Sequence, residues 1–238
     1  MIATAHATVA ANGVLAEVRS EPPLTLRQVR AEQEGTCALC LVGSAAGPLA
    51  GDERTLRVTA LPGARATITA AGAQLAQGRD ADCVSTCRTE LVLGEQATLT
   101  GDTGPLIVAA GARTHVEVSI TVAATARLDW REVVVLGRSA EPLGRALIRW
   151  DVVRDGTPLL RQSVDLTGEP GLLLAGRRVL ASCLLTGPGL AARTVVRHAT
   201  AAAAKLADDA VLITVLAADA AAAANDLQAL RAAVAIGA

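Results

Sequence analysis

Apolar and polar residues alternate along much of the chain between positions 9 and 185, and a period of two is typical of β-strands. The clearest case is residues 114–122, where an aliphatic side chain occupies every second position. The same alternation occurs in residues 56–60 and 66–70, which the turn-forming pair Pro62-Gly63 separates. The chain is therefore predicted to be mainly β.

Turn signals predict that these strands follow one another in a coil. Glycines at positions 63, 94 and 111 each come shortly before an alternating stretch, as in a chain that winds through successive strands. Asp155-Gly156 separates residues 146–153 from 159–166 and predicts a β-hairpin. The predicted fold is a coiled, β-helix-like stack of short strands.

The pattern changes after Pro188. Residues 190–206 are rich in alanine and predict a helix, and residues 211–216 predict a strand. Asp219 is well placed to cap a last helix that ends near residue 234. With no linker before it, this helix–strand–helix tail (186–238) is expected to form a single domain with residues 1–185.

Composition narrows the class of protein. The 238 residues are 51% hydrophobic but include no Phe or Tyr and two Trp, so aliphatic side chains must fill the core. A net charge of −1 without a basic stripe argues against a nucleic-acid partner. The chain has no apolar run long enough to span a membrane and no secretion-type start, so we expect a soluble, cytoplasmic protein.

One acidic residue falls on the apolar face of a predicted strand. In a regular strand, Glu132 shares its face with Trp130 and several aliphatic residues. A carboxylate in such surroundings has to be paired, neutral or next to water. One interpretation is a buried ion pair with Arg138, Arg145 or Arg149. The other is a polar position that lines an internal channel.

The five cysteines form no obvious metal site in the sequence. Cys37 and Cys40 have the C-x-x-C spacing, but residues three apart on a strand point to opposite faces. Cys83 and Cys87 are expected in a polar loop, and a zinc site requires them to meet the first pair. Cys183 is predicted to be a small core residue. An odd number of cysteines without a secretion signal predicts free thiols.

Catalytic groups are scarce. The three histidines are scattered, tyrosine is absent, no nucleophile elbow is present, and the single lysine, Lys205, rules out a P-loop. His115 and Glu117 share one strand face, where they are either solvated or able to touch a passing cation. The sequence therefore predicts a protein that is not an enzyme.

One segment has the spacing of a dinucleotide-binding loop. From Gly187 to Ala192 the chain fits G-x-G-x-x-A. However, Pro188 lacks the amide hydrogen that a phosphate needs, and a single strand follows, which is too few for a Rossmann half. The segment is interpreted as a turn and helix start. A nucleotide-binding enzyme and a generic β-rich binding module are the alternative functions.

Three segments resemble the UreD (UreH) family of urease accessory proteins. Residues 43–52 (GSAAGPLAGD) are similar to the family's G-G-L-x-G-G-D segment, and residues 105–113 (PLIVAAGAR) to its P-x-I-P-F-x-G-A-R segment. Trp130-Arg131-Glu132, followed by Gly137-Arg138 and Glu141, is similar to its W-x-E…G-R…G-E stretch. Order and spacing agree from about residue 38 to residue 166, although alanines at positions 46 and 50 replace glycines of the family pattern.

This resemblance implies a non-enzymatic chaperone that binds urease apoprotein and works with the urease accessory proteins F and G. It also implies an internal passage for nickel in transit, with no tightly bound cofactor. By position, Asp52 and Glu132 are expected to line or support the passage, while Arg138 and Glu141 hold strand ends. A metal that must be released fits carboxylates and water better than thiolates or several imidazoles.

Overall fold

In the computed structural model, which describes residues 1–78 and 83–235, the chain winds repeatedly between two β-sheets. The first strands are β1 (Ile2–Ala10), β2 (Val14–Ser20), β3 (Leu24–Val29), β4 (Cys37–Gly43), β5 (Glu53–Ala60), β6 (Arg65–Ala70), β7 (Gln74–Ala76), β8 (Ser85–Leu93) and β9 (Thr98–Asp102). They are followed by β10 (Leu106–Val108), β11 (Arg113–Val122), β12 (Arg127–Leu136), β13 (Arg145–Arg154), β14 (Thr157–Leu166), β15 (Val179–Thr186), β16 (Val195–His198), β17 (Ala201–Ala207) and β18 (Ala210–Ala217). The helices in this part of the chain are α1 (Pro170–Leu173) and α2 (Ala220–Ala235).

Strand order shows that the chain coils. The first sheet has the order β14-β13-β11-β8-β5-β1-β2, and the run from β13 to β1 is parallel. The second sheet has the order β16-β17-β18-β15-β12-β9-β6-β4-β3, and β4, β6, β9 and β12 are parallel. Short β7 and β10 pair with each other, and β10 pairs with the end of β12, so these two strands form a branch of the second sheet. The predicted coiled stack of short strands is confirmed.

Two predicted turns lie where the chain passes between the sheets, and the predicted hairpin joins neighbouring strands of the first sheet. Gly63 and Gly111 come just before β6 and β11, and both have left-handed backbone angles. Asp155 and Gly156, with φ of 45° and 76°, join β13 to β14 as the predicted hairpin.

Aliphatic side chains fill the space between the two sheets. In-register parallel pairing stacks Ala7, Val58, Leu91, Ile120 and Val152 in one line across the first sheet, and each is at most 1% exposed. We call this line the aliphatic row. Both tryptophans also lie in the interior.

The first element of the tail differs from the prediction. Residues 195–207 form β16 and β17, not part of the helix predicted for residues 190–206. Alanine favours helices when nothing else decides, but tertiary packing overrides that preference. Here Ala201 and Ala203 pack in the same buried cluster as Leu227 of α2, and their short side chains let the helix approach the sheet.

The rest of the tail follows the prediction. The strand expected at residues 211–216 is β18, and the last helix is α2. Asp219 Oδ1 accepts a hydrogen bond from the Ala222 amide at 2.8 Å, as expected of a capping residue. Neither helix of the described residues has the length and apolar character needed to cross a membrane.

Candidate functional site

Glu132 lies inside the coil. On β12 the buried positions alternate with partly exposed ones, and Glu132 shares the buried face with Trp130 and Val134, as predicted. Its side chain crosses the space between the sheets, and the residue is 6% exposed. A carboxylate is rarely buried to this extent unless a partner or a function holds it there.

The partners of Glu132 are uncharged donors. Oε1 accepts hydrogen bonds from Trp130 Nε1 at 2.9 Å and from Thr89 Oγ1 at 3.5 Å, and Oε2 accepts one from Thr103 Oγ1 at 3.2 Å. Thr89 belongs to the first sheet and Thr103 follows β9 of the second, so the carboxylate connects both sheets.

The ion pair that was one interpretation of Glu132 is wrong. No cationic group of residues 1–78 and 83–235 forms a salt bridge with this carboxylate. Arg138 pairs with Glu141, while Arg145 and Arg149 are exposed to solvent.

Burial changes the acidity of this carboxyl group. Loss of solvation raises the pKa of Glu132 to about 7, although the hydrogen bonds from Trp130, Thr103 and Thr89 oppose the rise. The negative charge of Asp102 adds to it. Near neutral pH, Glu132 therefore exists in comparable amounts as an acid and as an anion.

Next to Trp130, strands β9 and β6 approach each other closely at a glycine. Trp130 pairs with Gly101 of β9, which in turn pairs with Ile68 of β6. A Cβ atom on Gly101 would lie 2.2 Å from the carbonyl oxygen of Ile68, so no larger residue fits without moving the backbone.

Two adjoining cavities lead to the carboxylate. An inner cavity of about 30 Å³, room for about one water molecule, is lined by Glu132, Thr89 and Cys87 among others. An outer cavity of about 370 Å³ reaches the loop at residues 43–47. They share the lining residues Leu24, Leu41, Arg54, Gln74 and Thr103.

A second row of the first sheet carries polar groups into these cavities. In-register pairing stacks Ala3, Arg54, Cys87, Val116 and Ile148 in one line, which we call the polar row. Burial raises the pKa of the Cys87 thiol to about 12, so this side chain stays a neutral thiol at physiological pH.

Sequence reasoning missed Arg54, Thr89 and Thr103. The sequence contains a signal for the first two. Arg54 lies two positions before inward-facing Leu56, and Thr89 lies two positions before inward-facing Leu91, so strand alternation turns both side chains inward. Thr103 follows β9 in an irregular segment, where periodicity gives no direction.

Asp52 lies beside the cavities but does not line either one. Its carboxylate accepts hydrogen bonds from the Met1 amino group and the Leu49 amide, both at 2.8 Å. Burial raises the pKa of Asp52, but these hydrogen bonds outweigh it and leave the pKa below its usual value. Asp52 thus stabilises the turn that precedes β5.

Arg138 and Glu141 form an ion pair at the surface, in the turn that follows β12. Glu141 also accepts hydrogen bonds from the backbone amides of Arg138 and Ala110, at 3.1 and 3.4 Å. The hydrogen bonds from Arg138 lower the pKa of Glu141 to about 2. The pair ties the end of β12 to the segment after β10.

His115 and Glu117 lie on the outward face of β11, away from the cavities. Glu117 Oε2 accepts a hydrogen bond from Arg88 Nε at 2.8 Å, and Arg88 also binds Glu53. Within the described residues, no three His, Cys, Asp or Glu side chains come together as a metal site.

The cysteines are free thiols in the described structure. Cys37 is buried and Cys40 is half-buried, as expected of opposite strand faces. The polar loop predicted for Cys87 is wrong, because this residue lies on β8. Cys183 is a fully buried core residue on β15, as predicted.

The glycine-rich segment that begins at Gly187 is a turn, but no helix follows it. The chain runs in irregular conformation to Val195, where β16 begins. A phosphate would therefore find no helix N-terminus here, which removes the main physical reason for a dinucleotide site.

The three segments noted in the sequence meet at the cavities. Gly43 and Gly47 line the outer cavity, while Leu106 and Glu132 line the inner one. Comparison with known protein families agrees with the resemblance of these segments. The model of the UreD urease accessory protein family matches residues 3–237. The chain belongs to the UreD family of urease accessory proteins.

Curated UreD proteins match most of the chain. Urease accessory protein UreD 3 of Streptomyces griseus subsp. griseus is 37% identical over 214 residues, 84% of this chain and 82% of that protein. UreD of Streptomyces coelicolor is 33% identical over 216 residues, 87% of this chain and 85% of its own length. UreD 2 of Saccharopolyspora erythraea is 35% identical over 79% of this chain and 67% of its own length.

Proposed function

We propose that the protein is a non-enzymatic chaperone that binds urease apoprotein in the cytoplasm. Together with urease accessory proteins F and G, it assists the insertion of nickel into the urease active site. The adjoining cavities form part of the route of the metal. Membership of the UreD family supports the urease role, and the buried, unpaired carboxylate at the inner end of the cavities supports the route.

The chemistry of the lining suits a cation that stays briefly. Glu132 is the one acidic side chain of the described residues that lines either cavity, and Cys87 beside it is a neutral thiol. Tight nickel binding uses several thiolate or imidazole ligands. One carboxylate with hydroxyl neighbours attracts the ion without holding it.

Proton exchange offers a way to load and release the ion. Because the pKa of Glu132 is about 7, a proton neutralises the buried group for much of the time when no metal is present. An arriving Ni²⁺ displaces that proton, and its departure lets the proton return. The site therefore avoids the cost of a permanently buried charge.

Replacement of the carboxylate by an amide of similar shape tests this role. Urease apoprotein is coexpressed with accessory proteins F and G and either the wild-type chain or Glu132→Gln, and the nickel content and activity of purified urease are measured. We expect both to fall by about tenfold or more, the scale of losing one contact to a charged group.

The matched control is Glu90→Gln, which changes the same side chain on the outward face of β8. Capture of urease by each tagged variant separates binding from nickel delivery. Normal nickel content with Glu132→Gln would remove Glu132 from the route, and a wild-type chain that binds no urease component would favour a generic binding module instead.

A further inference from the structure

Arg54 is a buried cation that forms no salt bridge in the described structure. The residue is 3% exposed and lies on the polar row of β5, where it lines both cavities. Nη2 donates a hydrogen bond to the carbonyl oxygen of Ala46 at 3.1 Å. Nε is itself buried and has no hydrogen-bond partner among residues 1–78 and 83–235.

The nearby carboxylates are used elsewhere. Asp52 binds the Met1 amino group and the Leu49 amide, and Glu132 binds Trp130 and two hydroxyl groups. Burial lowers the pKa of Arg54, and the charge of Asp52 opposes this fall without a hydrogen bond between the two residues. A buried guanidinium without a directly bound anion is costly, because its charge has left water with little compensation. An anion bound at Arg54 would reduce this cost.

The loop at residues 43–47 makes room for this guanidinium. A Cβ atom on Gly47 would lie 2.4 Å from Arg54 Nη2, so a larger side chain would push the cation away. The outer cavity of about 370 Å³ opens beside it and is far larger than a single water molecule needs. A small ion with some of its water fits there.

We propose that Arg54 and the loop at residues 43–47 form a binding site for a small oxyanion of the carboxylate type. Arginine binds two oxygens on one carbon in a planar, bidentate manner, which matches the shape of a carboxylate. In the described part, Arg54 is the one basic side chain that lines the outer cavity, which favours a singly charged anion over phosphate. Formate, acetate and bicarbonate have this chemistry, and so does the side chain of a glutamate.

The site also bears on the nickel route, an effect that rests on the proposed function. Arg54 lines the outer and the inner cavity, so a divalent cation moving towards Glu132 passes a positive charge. A bound anion cancels that charge. Anion binding itself is independent of nickel and is tested without urease.

Titration of the purified chain with ¹³C-formate, followed by NMR line width, tests the site. We expect saturable binding to the wild-type chain and to Arg57→Met, which removes an outward-facing arginine from the same strand. In Arg54→Met we expect binding weaker by about tenfold or more, as for the loss of a charge-assisted hydrogen bond. Sodium chloride and phosphate at equal ionic strength should not compete.

A second arm identifies the source of the carboxylate. A blocked tripeptide with a central glutamate replaces formate, and tighter binding of the peptide assigns the site to a partner's side chain, whereas tighter binding of formate assigns it to a free anion. If Arg54→Met fails to fold, Arg54→Lys keeps the charge but loses the planar edge and should bind formate more weakly. Equal binding by the wild-type chain and Arg54→Met, or no saturable binding of either probe, would overturn the proposal.

Discussion

The aliphatic row and the polar row run side by side across the same sheet, but only the second interrupts its buried aliphatic residues with polar groups. The aliphatic row holds alanine, valine, leucine and isoleucine, each at most 1% exposed. The polar row, which lies nearer the starts of the same strands, includes Arg54 and Cys87 and adjoins the cavities. The first row is therefore closed and wholly aliphatic, while the second makes room at its centre for polar groups and a cavity.

The difference shows where this fold can accommodate function. Parallel strands stack their side chains in register. A polar residue at one position of a strand therefore creates a local polar site in the interior without disturbing the next row. Glu132 reaches this site from the opposite sheet, through Thr89 and Thr103. The coil thus keeps a polar pocket inside a hydrophobic scaffold.

The largest expected effect concerns the charge of Glu132. Its pKa in the folded protein, about 7, is above its usual value of 4.5, so the folded state binds more protons than the unfolded state between these pH values. The contribution of Glu132 to stability is complete below pH 4.5 and is lost as pH rises through 7. It amounts to up to about 3 kcal/mol.

Urea unfolding of the wild-type chain and Glu132→Gln at pH 5 and pH 8 measures this effect. The free energy of unfolding of the wild-type chain should fall more steeply with pH than that of the variant. Asp52 and Glu141, whose pKa values are lowered, titrate below this window and do not interfere. Parallel pH profiles of the two proteins would mean that Glu132 is not desolvated, and the contrast between the two rows would fail.

The next effect compares one substitution in the two rows. Val58 belongs to the aliphatic row and is fully buried, while Val116 belongs to the polar row and lines the inner cavity. We expect Val58→Ala to lower the free energy of unfolding by about 2–3 kcal/mol, because it leaves a dry void. Val116→Ala should cost about 1 kcal/mol less, because its space joins a polar cavity that water can enter.

Urea unfolding at pH 5, where Glu132 is mainly neutral, keeps the two substitutions comparable. Equal costs would show that the inner cavity is as dry as the aliphatic row. A larger cost for Val116→Ala would reverse the comparison.

The coil and the position of Glu132 follow from local pattern, which is why the sequence predicts them. Alternation fixes which side chains face inward, and Asp155-Gly156 fixes the hairpin. The partners of Glu132 do not follow from local pattern. Thr89 and Thr103 lie 43 and 29 positions away in sequence, and only the register of the coil brings them to the carboxylate.

In the tail, local propensity gives the wrong prediction. The alanines at positions 201–204 have strong helix propensity, but their conformation is decided by β18 on one side and β16 on the other. Helix propensity describes an isolated segment. Here the neighbouring strands have backbone N–H and C=O groups that need partners, and a helix packed on the same edge would leave those groups unpaired.

The smallest effect concerns a single hydroxyl group at the junction of the two cavities. Thr103→Val keeps the shape of the side chain but removes the hydrogen bond that Oγ1 donates to Glu132 Oε2. Because this bond stabilises the charged form, its loss raises the pKa of Glu132 further. At pH 8 the variant should be less stable than the wild-type chain by about 1–2 kcal/mol, whereas at pH 5, where the carboxyl is mainly neutral, the difference should largely vanish. The control is Thr121→Val, which makes the same change on the outward face of β11 and should show no such pH dependence. A Thr103→Val cost that is the same at both pH values would assign the hydroxyl to packing alone, and the polar pocket would then rest on Trp130 and Thr89.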